Sequence, residues 1–138
     1  MTWIFYALGS AGFAALVAIF GKIGLKGADT VLATTVRGVV MGIFLIVISF
    51  SLGKFSQIGD LSNKALTFII LSGVAGALSW LCYFFAIKNG PVSGVIAIDR
   101  LSVVFAIALA AIFLGEALSA KIAIGGGLIV AGALLVAL

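Results

Sequence analysis

The stretch ALTFIILSGVAGALSWLCYFFAI (residues 65–87), then KNGP (88–91), then VSGVIAIDRLSVVFAIALAAIFL (92–114) decides the fold. Two apolar runs of 23 residues each flank a four-residue break rich in turn formers. A helix rises 1.5 Å per residue, and about 20 residues cross the hydrocarbon core of a bilayer, with a range of roughly 17 to 25. Each run is therefore long enough to span a membrane. Neither shows the strict apolar/polar alternation that a transmembrane barrel strand needs. A lone segment in lipid must satisfy its own backbone hydrogen bonds, so both runs are predicted to be helices. Asn89-Gly90-Pro91 ends one and starts the next, and the chain's single proline falls beside a first helical turn, where its missing N–H costs nothing.

Working outward, three more runs of the same kind appear, at residues 3–20, 31–52 and 122–138. The fold class is all-α, an integral membrane bundle of five transmembrane helices in one domain over residues 1–138. The first run has no Lys or Arg before Trp3, and its 18 apolar residues are long for a signal-peptide core, so it reads as a span. Asp29-Thr30 and Ser119 are expected N-caps for the second and fifth helices. Lys22, Lys54 and Lys88 follow helix ends, where a cation complements the dipole and snorkels to headgroups. Trp3 and Tyr6 suit the membrane interface.

Composition agrees. Charged residues are 9% of the chain, against roughly 25% in soluble domains, and that deficit leaves too little charge for a water-facing surface. The mean hydropathy of +1.44 says the same. Lipid must be the solvent for most of the polypeptide. The net charge of +4 comes from scattered single Lys and Arg residues, which excludes a nucleic-acid footprint. There is no His and only one cysteine, Cys82, so neither a disulfide within the chain nor a metal or cofactor site is expected. The same lack of acid/base and metal residues argues against an intramembrane enzyme.

Loop charges say little about orientation. Lys54, Lys64 and Lys121 lie on the face bearing the N-terminus, and Lys22, Lys26 and Lys88 on the other. The two faces are equal by the positive-inside rule, and Arg37 and Arg100 tip the balance only slightly. Two readings follow: a single, weakly specified orientation, or insertion both ways to form an antiparallel pair, an unfused form of the inverted repeats in many transporters.

Three ionisable residues fall inside spans: Arg37, Asp99 and Arg100. Each costs roughly 2.5 to 3.5 kcal/mol at a helix centre on insertion scales. Arg37 and Asp99 each sit seven residues past a helix start, ~10 Å deep from the same face, so an ion pair between them fits geometrically. They line a polar cavity, or else the arginines snorkel to headgroups while Asp99 neutralises a neighbour. Trp80, Tyr83 and Phe84 share one face of the third helix, about 12 Å from that same boundary. Such a cluster either stacks on an amphiphilic or cationic solute or serves as packing. Gly38 and Gly42 in the second span, and Ala123, Gly127 and Ala131 in the fifth, offer small-residue faces for close helix contact.

The order of residues carries a resemblance as well. Ala86-Ile87-Lys88-Asn89-Gly90-Pro91-Val92-Ser93, followed by Ala97-Ile98-Asp99-Arg100-Leu101-Ser102-Val103-Val104, resembles the third-to-fourth helix passage of EamA-type proteins of the drug/metabolite transporter superfamily. Leu114-Gly115-Glu116-Ala117-Leu118-Ser119 before a Gly/Ala-rich helix is similar to the end of an EamA repeat. The likeness covers the whole chain as one five-helix repeat. It implies a secondary transporter of a small metabolite in the inner cell membrane, with Arg37, Trp80, Tyr83, Asp99, Arg100 and Ser102 as substrate or cavity candidates. Because such repeats usually occur in fused pairs, it also implies a homodimer or a related partner chain. The alternative is a membrane subunit that transports only with that partner. Ala117 departs from the proline that commonly follows the Gly-Glu pair. The first helix has no carboxylate, where small multidrug resistance proteins carry their proton-coupling glutamate, so antiport by that route is not implied.

Asp99→Asn is predicted to abolish uptake into proteoliposomes while leaving membrane insertion intact. Normal uptake by that variant removes Asp99 from the mechanism.

Overall fold

The computed structural model describes residues 2–138. They form helices joined by short turns, with no strand among the described residues. In chain order these are α1 (Thr2–Gly24), α2 (Thr30–Ser51), a 3₁₀ helix (Lys54–Asp60), α3 (Asn63–Asn89), α4 (Val92–Asp99), α5 (Leu101–Leu114) and α6 (Ala120–Ala137). Five helical stretches are long and apolar enough to cross a membrane, α4 and α5 together making the fourth. The chain is a multi-pass membrane protein.

The predicted punctuation is present, with ends shifted by a few residues. Asp29 caps α2, its Oδ1 accepting from Leu32 N at 2.9 Å, and Ser119 caps α6, its Oγ accepting from Ile122 N at 3.3 Å. Pro91 is the N-cap of α4, in extended conformation. Gly115 ends α5 with φ +69, a left-handed turn that a Cβ would strain. Gly115 N donates to Ala110 O, the six-to-one bond that closes helix C-termini, and Glu116 N reaches the same carbonyl at 3.3 Å.

Two features depart from the sequence expectation. The connection after α2 carries the 3₁₀ helix, whose Phe55 and Ile58 stay exposed, as suits a segment lying at a lipid interface. The fourth span is also not one unbroken helix. At Arg100 the backbone tightens: its N–H is shared between Ile96 O and Ala97 O, both at 3.2 Å, and its own carbonyl accepts from Val103 N at 3.1 Å. That is a short 3₁₀ passage, which keeps the backbone groups paired within the segment as lipid demands.

The described residues divide into two compact units, 2–22 with 89–138, and 23–88. In the first, α4 and α5 pack against α6. Gly94 and Gly126 are buried, and Ala133 is 5% exposed. A Cβ on Gly94 would lie 3.3 Å from Pro91 Cγ and 3.7 Å from Ala137 Cα, so α4 touches α6 backbone at this point. The contact face of α6 runs through Gly126, Ile129, Val130, Ala133 and Ala137, one helical stripe. The Ala123–Gly127–Ala131 stripe is not part of this contact face. Ala123, Gly127 and Ala131 are all exposed, one residue and hence about 100° around the helix from the face in use. Gly38 and Gly42 likewise have nothing within 4 Å of an added Cβ.

In the second unit, Leu25, Thr30, Phe84 and Ile87 are buried, while most of α2 is exposed along its length. Phe44 is 64% exposed, and a side chain of that kind is stable only against lipid or another protein.

Gly94→Leu should destabilise the protein by about 1–3 kcal/mol through overpacking against α6. Gly9→Leu, where an added Cβ meets nothing within 4 Å, should change stability by under about 0.5 kcal/mol. Reversible unfolding in mixed detergent micelles measures both.

Candidate functional site

Lipid makes an arginine in a span expensive, so where its charge goes is the central question of the site. Arg37 leaves α2 and lays its guanidinium over the indole of Trp80 on α3, 3.5 Å from the ring centroid. The Phe84 ring centroid is 5.5 Å from the same carbon. Trp80 is braced in turn. Tyr83 meets it edge-on at 5.4 Å and 79°, and Phe84 does so at 5.7 Å and 72°. The i, i+3, i+4 spacing that groups these rings on one helical face thus also builds a shelf for the cation. Phe84 is 3% exposed, so it anchors the shelf, while Arg37, Trp80 and Tyr83 stay partly open.

Magnitudes decide what this shelf accomplishes. A desolvated cation–π contact contributes about 2 kcal/mol, and each edge-to-face aromatic pair about 0.5–1.5. Placing an arginine at a helix centre costs roughly 2.5 to 3.5 kcal/mol. Stacking therefore offsets part of that cost and neutralises no charge. The two carboxylates in the same unit, Asp29 and Asp60, form no ion pair with Arg37.

The other in-span charges are arranged differently. Asp99 Oδ2 lies 3.5 Å from an Arg100 guanidinium nitrogen, with the side chains 36% and 50% exposed. This is the neighbour-neutralising arrangement, formed where α4 gives way to α5. Arg37 and Asp99 are thus each engaged within their own unit. Ser102, on the first turn of α5, is exposed. Arg100 also borders an apolar cleft of about 330 Å³, with Ala97, Val103, Ile129, Gly132, Ala133 and Val136 as its other lining residues. Of the candidates read from sequence, the structure therefore joins Arg37, Trp80 and Tyr83, pairs Asp99 with Arg100, and leaves Ser102 exposed at the start of α5.

Three features had no sequence signal. Lys22 Nζ donates to Gly90 O at 2.9 Å, and Lys88 Nζ to Ala28 O at 2.8 Å. These lysines were expected to complement their own helix dipoles and reach for headgroups; they bind carbonyls of turns more than fifty residues away in sequence. Thr30 is 1% exposed, and its Oγ1 is buried with no hydrogen-bond partner among the described residues. Phe84, by contrast, was legible from its spacing to Trp80. No group of three or more metal-binding side chains occurs among the described residues.

Five helical stretches long and apolar enough to span a bilayer define a class, the multi-pass membrane proteins. Comparison with known proteins narrows it. Residues 1–138 match the EamA-like transporter family. A protein named "Uncharacterized transporter in cobO 3'region" from Sinorhizobium sp is 38% identical over 136 residues, covering 99% of this chain and 96% of that one. A 56-residue stretch, 41% of this chain, is also 38% identical to the "Pseudopaline exporter CntI" of Pseudomonas aeruginosa, in two strains, but spans only 20% of that protein. No solved structure matches. The chain belongs to the EamA-like transporter family and is a membrane transporter.

A double-mutant cycle of Arg37→Gln and Trp80→Leu, read by unfolding in mixed micelles, is predicted to give a coupling of about 0.5–2 kcal/mol. Additive effects of the two substitutions refute the stacking contact.

Proposed function

We propose that the protein is a secondary transporter that moves a small metabolite across the inner cell membrane as an antiparallel homodimer. The observation that carries this reading is the Arg37 guanidinium. It is held inside a span on a braced aromatic shelf, with stacking as its support and no carboxylate of its unit as a counter-charge. A charge maintained at that cost in lipid marks a solute pathway. Family membership supports the transport function.

Pairing draws on other features. An odd number of spans, with three lysines on either face, suits insertion both ways. The Gly38–Gly42 face, open at Gly38 and half-buried at Gly42, and the exposed Ala123–Gly127–Ala131 face are flat surfaces on which a second copy fits closely. The short 3₁₀ passage at Arg100 interrupts the fourth span, as discontinuous helices do at the binding sites of secondary transporters. In the working cycle, the solute meets Arg37 and the shelf from one face, and rocking of one copy against the other exposes it to the opposite face. Asp99 and Arg100, paired with each other in the other unit, are proposed as further solute contacts.

Reconstitution of the purified protein alone tests the transport reading. Counterflow of at least one metabolite from a broad panel is the expected result; silence across the panel means that the chain needs a related partner. For the arrangement, Lys26→Cys and Lys64→Cys in a Cys82→Ser background should each be labelled from both membrane faces. Labelling of each from one face only overturns the antiparallel pair.

A further inference from the structure

The geometry at Trp80 reverses the sign of the ligand that the site suits. An open indole face within a span would favour a cationic or amphiphilic solute. Here the Arg37 guanidinium already covers it at 3.5 Å, with Phe84 behind at 5.5 Å. Stacking uses the flat face of a guanidinium and leaves its N–H donors pointing outward in the plane. Asp29 Oδ1 is occupied in capping α2 through Leu32 N, and no ion pair forms between Arg37 and any carboxylate of its unit. Among the described residues, no hydrogen bond from the Arg37 guanidinium to a protein acceptor is formed either.

A guanidinium fixed by its face, with its fork unused, is prepared for a planar oxyanion held by two parallel hydrogen bonds. We infer that Arg37, seated on Trp80, is the recognition point for the carboxylate of an anionic solute. This rests on the transporter reading of the same site and names its substrate class. The binding residue is Arg37. Trp80 and Phe84 are positioning residues: the first holds the guanidinium plane and the second, being buried, holds the indole. Preorganisation matters because a fork already oriented loses little freedom when the anion arrives. It also matters because a carboxylate entering the span meets its counter-charge there, where an unpaired ion of either sign is costly. Lysine at the same place would supply charge without the fork or the flat face.

The shelf supplies its own reporter. The chain has two tryptophans, and Trp3→Phe leaves Trp80 as the single indole. This variant, in phosphatidylcholine nanodiscs, is titrated with acetate, succinate, citrate and N-acetyl-leucine, each beside its amide or methyl ester. At least one acid should change Trp80 emission saturably, with its neutral derivative at least about tenfold weaker. Arg37→Gln should abolish the response, and Arg37→Lys should weaken it by about tenfold or more. Trp80→Phe cannot report by fluorescence; in counterflow of the responding acid it should raise the half-saturating concentration. If Arg37→Gln fails to fold, the lysine variant decides.

A response to tetramethylammonium or to leucine methyl ester in place of the acids overturns the inference. So does silence of every acid, or a response that appears only when phosphatidylglycerol replaces phosphatidylcholine, which assigns Arg37 to lipid headgroups. Binding that depends on Arg37 without counterflow keeps the anion site and removes the transporter reading. Counterflow of amines or sugars that Arg37→Gln leaves unchanged does the reverse.

Discussion

Hydrocarbon offers no hydrogen bonds, and every structural choice in this chain answers to that constraint. Backbone groups in lipid must be paired inside their own segment or by a neighbour brought to them. Helices meet the demand along each span. At the ends, where four N–H and four C=O groups are left over, side chains and turn geometry take part. Asp29 and Ser119 accept from N-terminal amides. Gly115 turns the chain so that Glu116 N returns to Ala110 O. Lys22 and Lys88 extend the same logic over long sequence distances by donating to the carbonyls of Gly90 and Ala28. The tightened turn at Arg100 keeps its bonds local even where the regular ladder changes.

Charge inside the spans obeys the same economy with a different result. Asp99 and Arg100 are adjacent and partly open, and each lessens the cost of the other. Arg37 has no such partner in its unit. Its support is the polarisable face of Trp80, a contact that offsets part of the cost of the ion in lipid and leaves its charge unpaired within the unit. That unpaired charge gives the site its direction. A structural arginine would be neutralised by its surroundings, whereas this one is braced in position with its donors unused.

Helix contact in lipid comes from close fit rather than from expulsion of water, so small residues mark where helices can meet. In the unit containing α4, α5 and α6, the close fit is made by Gly94 against Ala137, with Gly126 and Ala133 buried on the same face of α6. Gly38 on α2 and Gly127 on α6 are exposed. The molecule thus has small-residue surface outside this contact, and many of its large apolar side chains are exposed.

Much of this was legible without coordinates. Run length against bilayer thickness settles the five spans. Asn89-Gly90-Pro91, Asp29 and Ser119 announce their turns and caps, because local steric and hydrogen-bonding rules act over three or four residues. The grouping of Trp80, Tyr83 and Phe84 follows from helical periodicity alone. What periodicity could not supply was which helix each face meets. Gly126 and Gly127 are chemically identical neighbours, and about 100° of rotation separates a contact from an exposed surface. Arg37 could equally have met a carboxylate at its own depth, since depth is encoded by residue count but lateral position is not. Its place over Trp80 was decided by how α2 and α3 set their side chains toward each other, and so were the long reaches of Lys22 and Lys88. The sequence by itself determined the solvent, the spans and their punctuation, through local physics. Only tertiary structure decided which charge is paired and which is stacked on an aromatic ring, because that depends on distances between residues far apart in the chain.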